Sequence, residues 1–231
     1  MKTIGLLGGM SAHSSAEYYR IVNELVKARL GGHNNARSLM LTVIFEEIED
    51  LQHRGDWERI AVKMEAAAQQ LEAGGADFIV LCTNSVHRVA PRIEAAVSIP
   101  LLHIADATAA AVKEQGFRTV ALLGTRFTME QDFYRGRLES RHGLSVLVPG
   151  EADRAGIHRV IYDELCHGRV LEESRRSFQR IIDDLKDRGA EGVILGCTEI
   201  PLLIRPEDSS LPVFDTTLIH AQQAVDFAVS D

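Results

Sequence analysis

The chain has 231 residues, 45% hydrophobic and 25% charged, with a formal net charge of −8 at pH 7. This is the composition of an ordinary soluble globular protein, long enough for one large domain or two small ones. The acidic balance and the lack of a basic run disfavour nucleic acid and anionic membranes as partners. Cys82, Cys166 and Cys197 are the three cysteines, with no C-x-x-C spacing, so neither a disulfide framework nor a thiolate zinc cluster is expected. No run approaches the ~20 apolar residues of a membrane span. The N-terminus has no basic-then-apolar export pattern, and a reducing cytoplasm is the expected location.

In chain order, short apolar runs alternate with longer helical patterns. Strands are expected at Thr3–Leu7, Leu39–Ile44, Phe78–Leu81, Leu101–Ile104, Thr119–Leu123, Ser145–Val148, Val193–Leu195 and Val213–Phe214. Helices are expected at Ala16–Leu30, Trp57–Ala73, Val86–Ala96, Ala105–Gln115, Met129–Arg141, Ala152–Cys166, Glu172–Arg188 and Thr216–Val229. Ser15 and Asp56 read as helix caps, and Gly74-Gly75 and Gly116 as helix ends. The acidic run Glu46–Asp50 reads as a solvated face. Strand alternating with helix, with apolar rather than alternating strands, indicates parallel sheets covered on both faces.

The chain also repeats itself. Gly75-Ala76-Asp77 followed by an apolar run matches Gly189-Ala190-Glu191 and its apolar run, 114 residues on (75 to 189). Lys2–Gly8 matches Arg118–Gly124, and Ser98-Ile99-Pro100 matches Ser210-Leu211-Pro212, in the same order. Three collinear matches imply a duplicated α/β unit. We therefore expect two similar open parallel-sheet α/β domains, residues 1–101 plus 214–231 and residues 102–213, with the active-site cleft between them.

Ligands of open α/β sheets sit beyond the carboxyl ends of strands. Four polar clusters fall there: Gly8-Gly9-Met10-Ser11, Thr83-Asn84-Ser85, Gly124-Thr125 and Cys197-Thr198-Glu199. Each precedes an expected helix, whose free N–H groups favour a carboxylate or phosphate. The repeat places Thr83 opposite Cys197, so in a shared cleft the two would approach a ligand from opposite sides. Opposed groups on one carbon can remove a proton from one face and return one to the other. A thiol is a usable base where its surroundings lower its pKa; a threonine hydroxyl is far weaker and serves as a donor or as a holder of water. Cys82 lies one residue out of register with Cys197, which on a strand turns its side chain to the other face, so it is expected in packing. Cys166 is expected to be structural too, and His87 and His220 to support loops or helix ends. No His/Asp/Glu cluster has metal-ligand spacing.

At this point the residues resemble the aspartate/glutamate racemases, cofactor-independent amino-acid racemases, and particularly their broad-specificity bacterial branch. The resemblance rests on Ile4–Ser11, Cys82–His87, His103–Thr108, Gly124–Tyr134, Gly196–Glu199 and Val213–Thr216, nearly the whole length. The family's two signatures are Cys-Asn-Thr-x-His and Gly-Cys-Thr-Glu, with the two cysteines as opposed bases. This chain departs from the first, reading Thr83-Asn84-Ser85-Val86-His87. The resemblance implies that Cys197 handles the L-enantiomer and that the D-enantiomer's role falls on Thr83, so L-substrate is processed faster than D-substrate. It implies substrate contacts from Met10, Gln52, Asn84, Ser85, Thr125 and Thr198, an amino-acid substrate such as aspartate or glutamate, no cofactor, no metal and a homodimer. The arginine and lysine with which aspartate-specific members grip the distal carboxylate are missing near Gln52 and Cys166. Arg54 or Arg126 is the candidate replacement, and a broader side-chain range is expected. Two alternatives stay open: a single-cysteine carbanion enzyme of the same superfamily, such as a decarboxylase, and an amino-acid-binding protein that has lost catalysis.

Overall fold

Two runs of apolar residues, Ile4–Gly8 (β1) and Phe78–Leu81 (β3), are buried at every position, and each lies at the centre of the first of two sheets. The computed structural model describes residues 1–230. After β1 come α1 (Ala12–Leu30), β2 (Ser38–Thr42), α2 (Phe45–His53) and α3 (Trp57–Ala73); after β3 come a 3-10 turn (Ser85–Val89), α4 (Ala90–Ala96) and β4 (Leu101–Leu102). The strands pair in parallel in the order β2-β1-β3-β4. Side chains alternate across this sheet as strand geometry requires. Leu7, Ile79 and Leu81 pack with residues of α2, α3 and α4, whereas Ile4, Leu6, Phe78, Val80 and Cys82 pack with residues of α1 and of Thr216–Val229 (α11).

The second sheet repeats the plan. It is built from α5 (Ile104–Glu114), β5 (Thr119–Gly124), α6 (Arg126–Glu130), α7 (Arg135–His142), β6 (Ser145–Leu147), α8 (Glu151–Asp163), α9 (Glu172–Asp187), β7 (Gly192–Gly196), α10 (Ile200–Leu203) and β8 (Val213–Asp215). Its strands pair in parallel in the order β6-β5-β7-β8, the first order with four added to each number. Helix α9 shows the chemistry of its outer layer. Phe178, Ile181, Ile182 and Leu185 recur at helical spacing and are buried, each contributing roughly 1.5–3 kcal/mol by leaving water. Contacts divide the chain into residues 1–104 with 220–231 and residues 105–219. Strand β8 thus completes the second sheet, and the chain returns to the first unit within α11.

The matched segments make matched hydrogen bonds. The Thr3 N–H donates to the Asp77 carboxylate at 2.5 Å, and the Thr119 N–H to the Glu191 carboxylate at 2.7 Å. Ile79 N–H donates to Pro100 O at 2.8 Å, and Val193 N–H to Pro212 O at 2.9 Å. The acid of the repeated Gly-Ala-acid motif is therefore a clamp on the start of the neighbouring strand, which is why it recurs.

Several local expectations are corrected. Helix α1 starts at Ala12 and is capped by Ser11, whose side chain accepts from Ser14 N–H; Ser15 lies inside the first turn. The run Glu46–Asp50 lies in α2, a helix not expected from the sequence; Glu46, Glu47 and Asp50 are its exposed face, as expected of a solvated run, while Ile48 and Leu51 are buried. The helix expected at Met129–Arg141 is two helices, broken where Tyr134 turns inward with its hydroxyl 3.3 Å from Thr108 Oγ1. The helix expected at Ala152–Cys166 ends at Asp163, and Cys166 sits in a separate 3-10 turn. Among the described residues, no helix is long and apolar enough to cross a membrane.

Candidate functional site

The polar clusters sit at the carboxyl ends of adjacent central strands in each sheet. In the second unit the register pairs Gly124 of β5 with Gly196 of β7, so Thr125 and Cys197, each one residue farther on, leave neighbouring strands side by side. Glycine is required at this pair. A Cβ on Gly124 would lie 2.8 Å from Gly196 O, closer than side chains approach backbone, and one on Gly196 would lie 3.0 Å from Leu123 O, a contact tight enough that the backbone would have to shift. In the first unit Leu7 pairs with Leu81, which brings Gly8-Gly9-Met10 beside Cys82-Thr83-Asn84.

Cys197 is buried, 8% exposed. Its Sγ is 3.1 Å from Glu199 Oε2, and Thr198 Oγ1 donates to the same oxygen at 2.6 Å. Burial, followed by the negative charge of Glu199, pushes the Cys197 thiol well above its ordinary pKa; a hydrogen bond from the Glu199 backbone N–H pulls the other way. Cys166 is near enough for its charge to add to the upward push. Glu199 itself is 5% exposed. The sequence places it in the Cys197-Thr198-Glu199 cluster and in the Gly-Cys-Thr-Glu signature without giving it a role of its own.

Thr83 is buried just past β3. Its N–H donates to Leu81 O at 2.8 Å, and its carbonyl is 2.7 Å from His87 Nδ1. The Ile104 N–H donates to His87 Nε2 at 3.2 Å. His87 therefore donates from Nδ1 and accepts at Nε2, which defines a neutral imidazole holding the Thr83 main chain. His220 is likewise held between Tyr18 OH at 2.9 Å and Leu102 O at 2.8 Å, and both histidines serve as loop supports. Two serines of the first turn of α1 hold the same strand ends. Ser15 Oγ accepts from Gly9 N–H at 2.7 Å, and Ser14 Oγ donates to Cys82 O at 3.3 Å.

The remaining candidates divide. Asn84, Ser85 and Thr125 are buried at strand ends, and Thr125 also caps α6 by accepting from Thr128 N–H. Met10 is buried in the same apolar cluster as Ile48 and Leu51, and Gln52 is buried in the last turn of α2. Cys82 lies in the opposite cluster, with α1 and α11, and burial pushes its thiol far above the ordinary range. Arg54 and Arg126 are exposed and paired with carboxylates of their own helices, Asp50 at 3.5 Å and Glu130 at 3.4 Å. The helices that follow Thr125 and Cys197 are single turns, too short for an aligned dipole; α1 is the long one. Among the described residues no group of three or more His, Cys, Asp or Glu side chains is placed to hold a metal.

Chemically, the second unit offers a buried thiol in contact with a carboxylate, and the first a buried hydroxyl and amide at the equivalent positions. The profile of the Asp/Glu/Hydantoin racemase family matches residues 7–224. The crystal structure of an Asp/Glu racemase candidate from Yersinia pestis is 52% identical, covers 100% of both chains and superposes with a TM-score of 0.94. An aspartate racemase homologue from Pyrococcus horikoshii OT3 is 33% identical, again over 100% of both chains, with a TM-score of 0.87. The broad specificity amino-acid racemase RacX of Bacillus subtilis (strain 168) is 22% identical over 223 residues, 96% of each chain.

Proposed function

Because the chain belongs to the Asp/Glu/hydantoin racemase family, an isomerase family, we propose that it racemises amino acids by moving the Cα proton, with Cys197 as the base toward the L-enantiomer and Thr83 on the opposite face. The observation that carries this reading is positional. Thr83 and Cys197 occupy equivalent places past β3 and β7 of a repeated unit, and one of them bears a thiol. Cys197 Sγ removes the Cα proton of the L-substrate, and the proton returned to the other face comes from the Thr83 hydroxyl or a water it holds.

Asn84, Ser85, Thr125 and Thr198 supply the polar contacts that orient the α-carboxylate and amino group, and Met10 and Gln52 shape the pocket wall. No cofactor is needed for the proton transfers. The substrates are L-aspartate, L-glutamate or a wider set; the relatives' names, aspartate racemase homologue and broad specificity racemase, support both. The reading includes a homodimer in the cytoplasm. The equilibrium between enantiomers is one in water, so any bias lies in the rates alone.

Incubation of L-aspartate, L-glutamate and a neutral L-amino acid in D2O tests this, with Cα–H exchange followed by NMR. Wild type exchanges at least one of them, and Cys197→Ala loses about 10²–10⁴-fold, the usual worth of a positioned base. Exchange that survives in Cys197→Ala rules out the assignment.

A further inference from the structure

One buried polar atom at the strand ends of the second unit is left over by the fold. Thr217 is 2% exposed, and among the described residues its hydroxyl Oγ1 has no hydrogen-bond partner. A buried hydroxyl left unpaired costs stability, and native structures keep few of them. We propose that Thr217 is a specificity-determining residue: its hydroxyl bonds an oxygen on the substrate's side chain, and so favours aspartate, glutamate and their amides over apolar amino acids. This rests on the reading of the chain as an amino-acid racemase whose substrate lies at these strand ends.

Placement is the first support. Strands β7 and β8 pair in parallel with Leu195 opposite Asp215, and Cys197 and Thr217 each lie two residues farther on. Thr216 Oγ1 donates to Leu195 O at 2.8 Å, which ties the two ends together. Because β7 lies between β5 and β8, Thr125 leaves the sheet on one side of Cys197 and Thr217 on the other. The Asp215 carboxylate accepts from the N–H groups of Thr217 at 2.9 Å and Leu218 at 3.2 Å. That cap fixes the first turn of α11 and occupies its end, so the hydroxyl rather than the helix terminus is the group offered to a ligand. A threonine deeper in a helix turns its hydroxyl back to the carbonyl one turn earlier. Thr217 is the second residue of α11 and has no helical turn behind it.

The repeat is the second support. Val80 pairs with Leu102 as Ile194 pairs with Phe214, and three residues past those partners stand Ala105 and Thr217. Each is the second residue of its helix, and each is buried. The first copy folds with a methyl group at this place, so the architecture does not require a hydroxyl there.

Recognition of the substrate's side chain is the role still open. Arg54 and Arg126 are exposed and paired within their own helices, while Asn84, Ser85, Thr125 and Thr198 are assigned to the α-carboxylate and amino group. A neutral hydroxyl donates equally well to a carboxylate or to an amide carbonyl. One such donor therefore accepts a range of oxygen-bearing side chains.

Thr217→Val tests the inference, because it keeps the branched shape and removes the hydroxyl, and Thr217→Ser restores it. Isothermal titration calorimetry gives Kd for L-aspartate, L-asparagine and L-2-aminobutyrate, which lacks the side-chain oxygen. Cα–H exchange in D2O is read against substrate concentration, and urea midpoints are compared. In Thr217→Val, L-aspartate and L-asparagine bind about tenfold more weakly, the worth of one lost hydrogen bond, and L-2-aminobutyrate stays within about twofold. The loss appears in KM far more than in the saturated rate, and Thr217→Ser recovers most of the affinity. The urea midpoint of Thr217→Val is at or above that of wild type, since an unpaired hydroxyl has gone. L-aspartate affinity within about twofold of wild type overturns the inference. So does equal weakening of all three amino acids, which makes the hydroxyl a contact of the α-groups, or a midpoint lower by roughly 0.5 M or more, which shows it paired inside the fold. The expected binding pattern without any exchange sinks the racemase reading and supports Thr217 as a side-chain contact. Wild type that binds none of the three overturns both.

Discussion

Cys82 and Cys197 are one residue out of step in the repeat, and that step decides what each thiol does. Cys82 falls where the second unit has Gly196 and points into the cluster formed with α1 and α11; Cys197 falls one residue past its strand and touches Glu199. Cys82→Ala should therefore cost about 1–2 kcal/mol of stability through lost packing, measured by urea unfolding. Its L-substrate exchange per folded molecule should stay within about twofold of wild type; a loss like that of Cys197→Ala would assign the chemistry to the wrong thiol. These two positions were legible in the sequence because a duplicated chain carries its own alignment. The contacts of Glu199, Ser14 and Ser15 were not, because they join atoms up to 68 residues apart or across a tight turn, which no period encodes.

At the scale of elements, the site depends on how closely β5 and β7 approach at their ends. Gly124→Ala would set a methyl group 2.8 Å from Gly196 O, and backbone, unlike a side-chain tip, cannot step aside. We expect a loss of roughly 1–3 kcal/mol by urea unfolding, and a further fall in exchange as Thr125 and Cys197 are pushed apart; an unchanged midpoint would show that the strand ends have slack. The buried strands were readable, since four- to six-residue apolar runs bounded by Gly and polar residues leave little else for them to be. Helix α3 (Trp57–Ala73) was readable for the same reason, with Asp56 as its cap. Helix α2 was hidden because its acidic first turn reads only as a solvated face, and the helix shows itself when Ile48 and Leu51 are seen to be buried one turn apart. The break before α7 was hidden too, because Tyr134 leaves the helical path to satisfy a tertiary contact with Thr108.

For the molecule as a whole, acid sensitivity follows from the buried imidazole that carries no charge. Burial lowers the pKa of His220 to about 4, with the Leu102 carbonyl opposing only in part. In the unfolded chain an ordinary histidine binds its proton near pH 6.5, so as pH falls the unfolded state is protonated first and stability drops. His220's contribution is intact above about pH 6.5, declines by up to roughly 3 kcal/mol as pH approaches 4, and then levels off. Urea midpoints at pH 7 and pH 4.5 should show the fall, and His220→Gln, which retains a donor for Leu102 O, should flatten it. The central proposal is also molecular in scale: Cys197 serves the L-enantiomer and Thr83, its equivalent in the other unit, the D-enantiomer. It is tested most directly by Cα–H exchange of D- and L-substrate in D2O with wild type and Thr83→Cys. The account predicts that wild type exchanges L faster than D and that Thr83→Cys raises D-substrate exchange at least about tenfold toward the L rate. D-substrate exchange unchanged in a folded Thr83→Cys protein would contradict it.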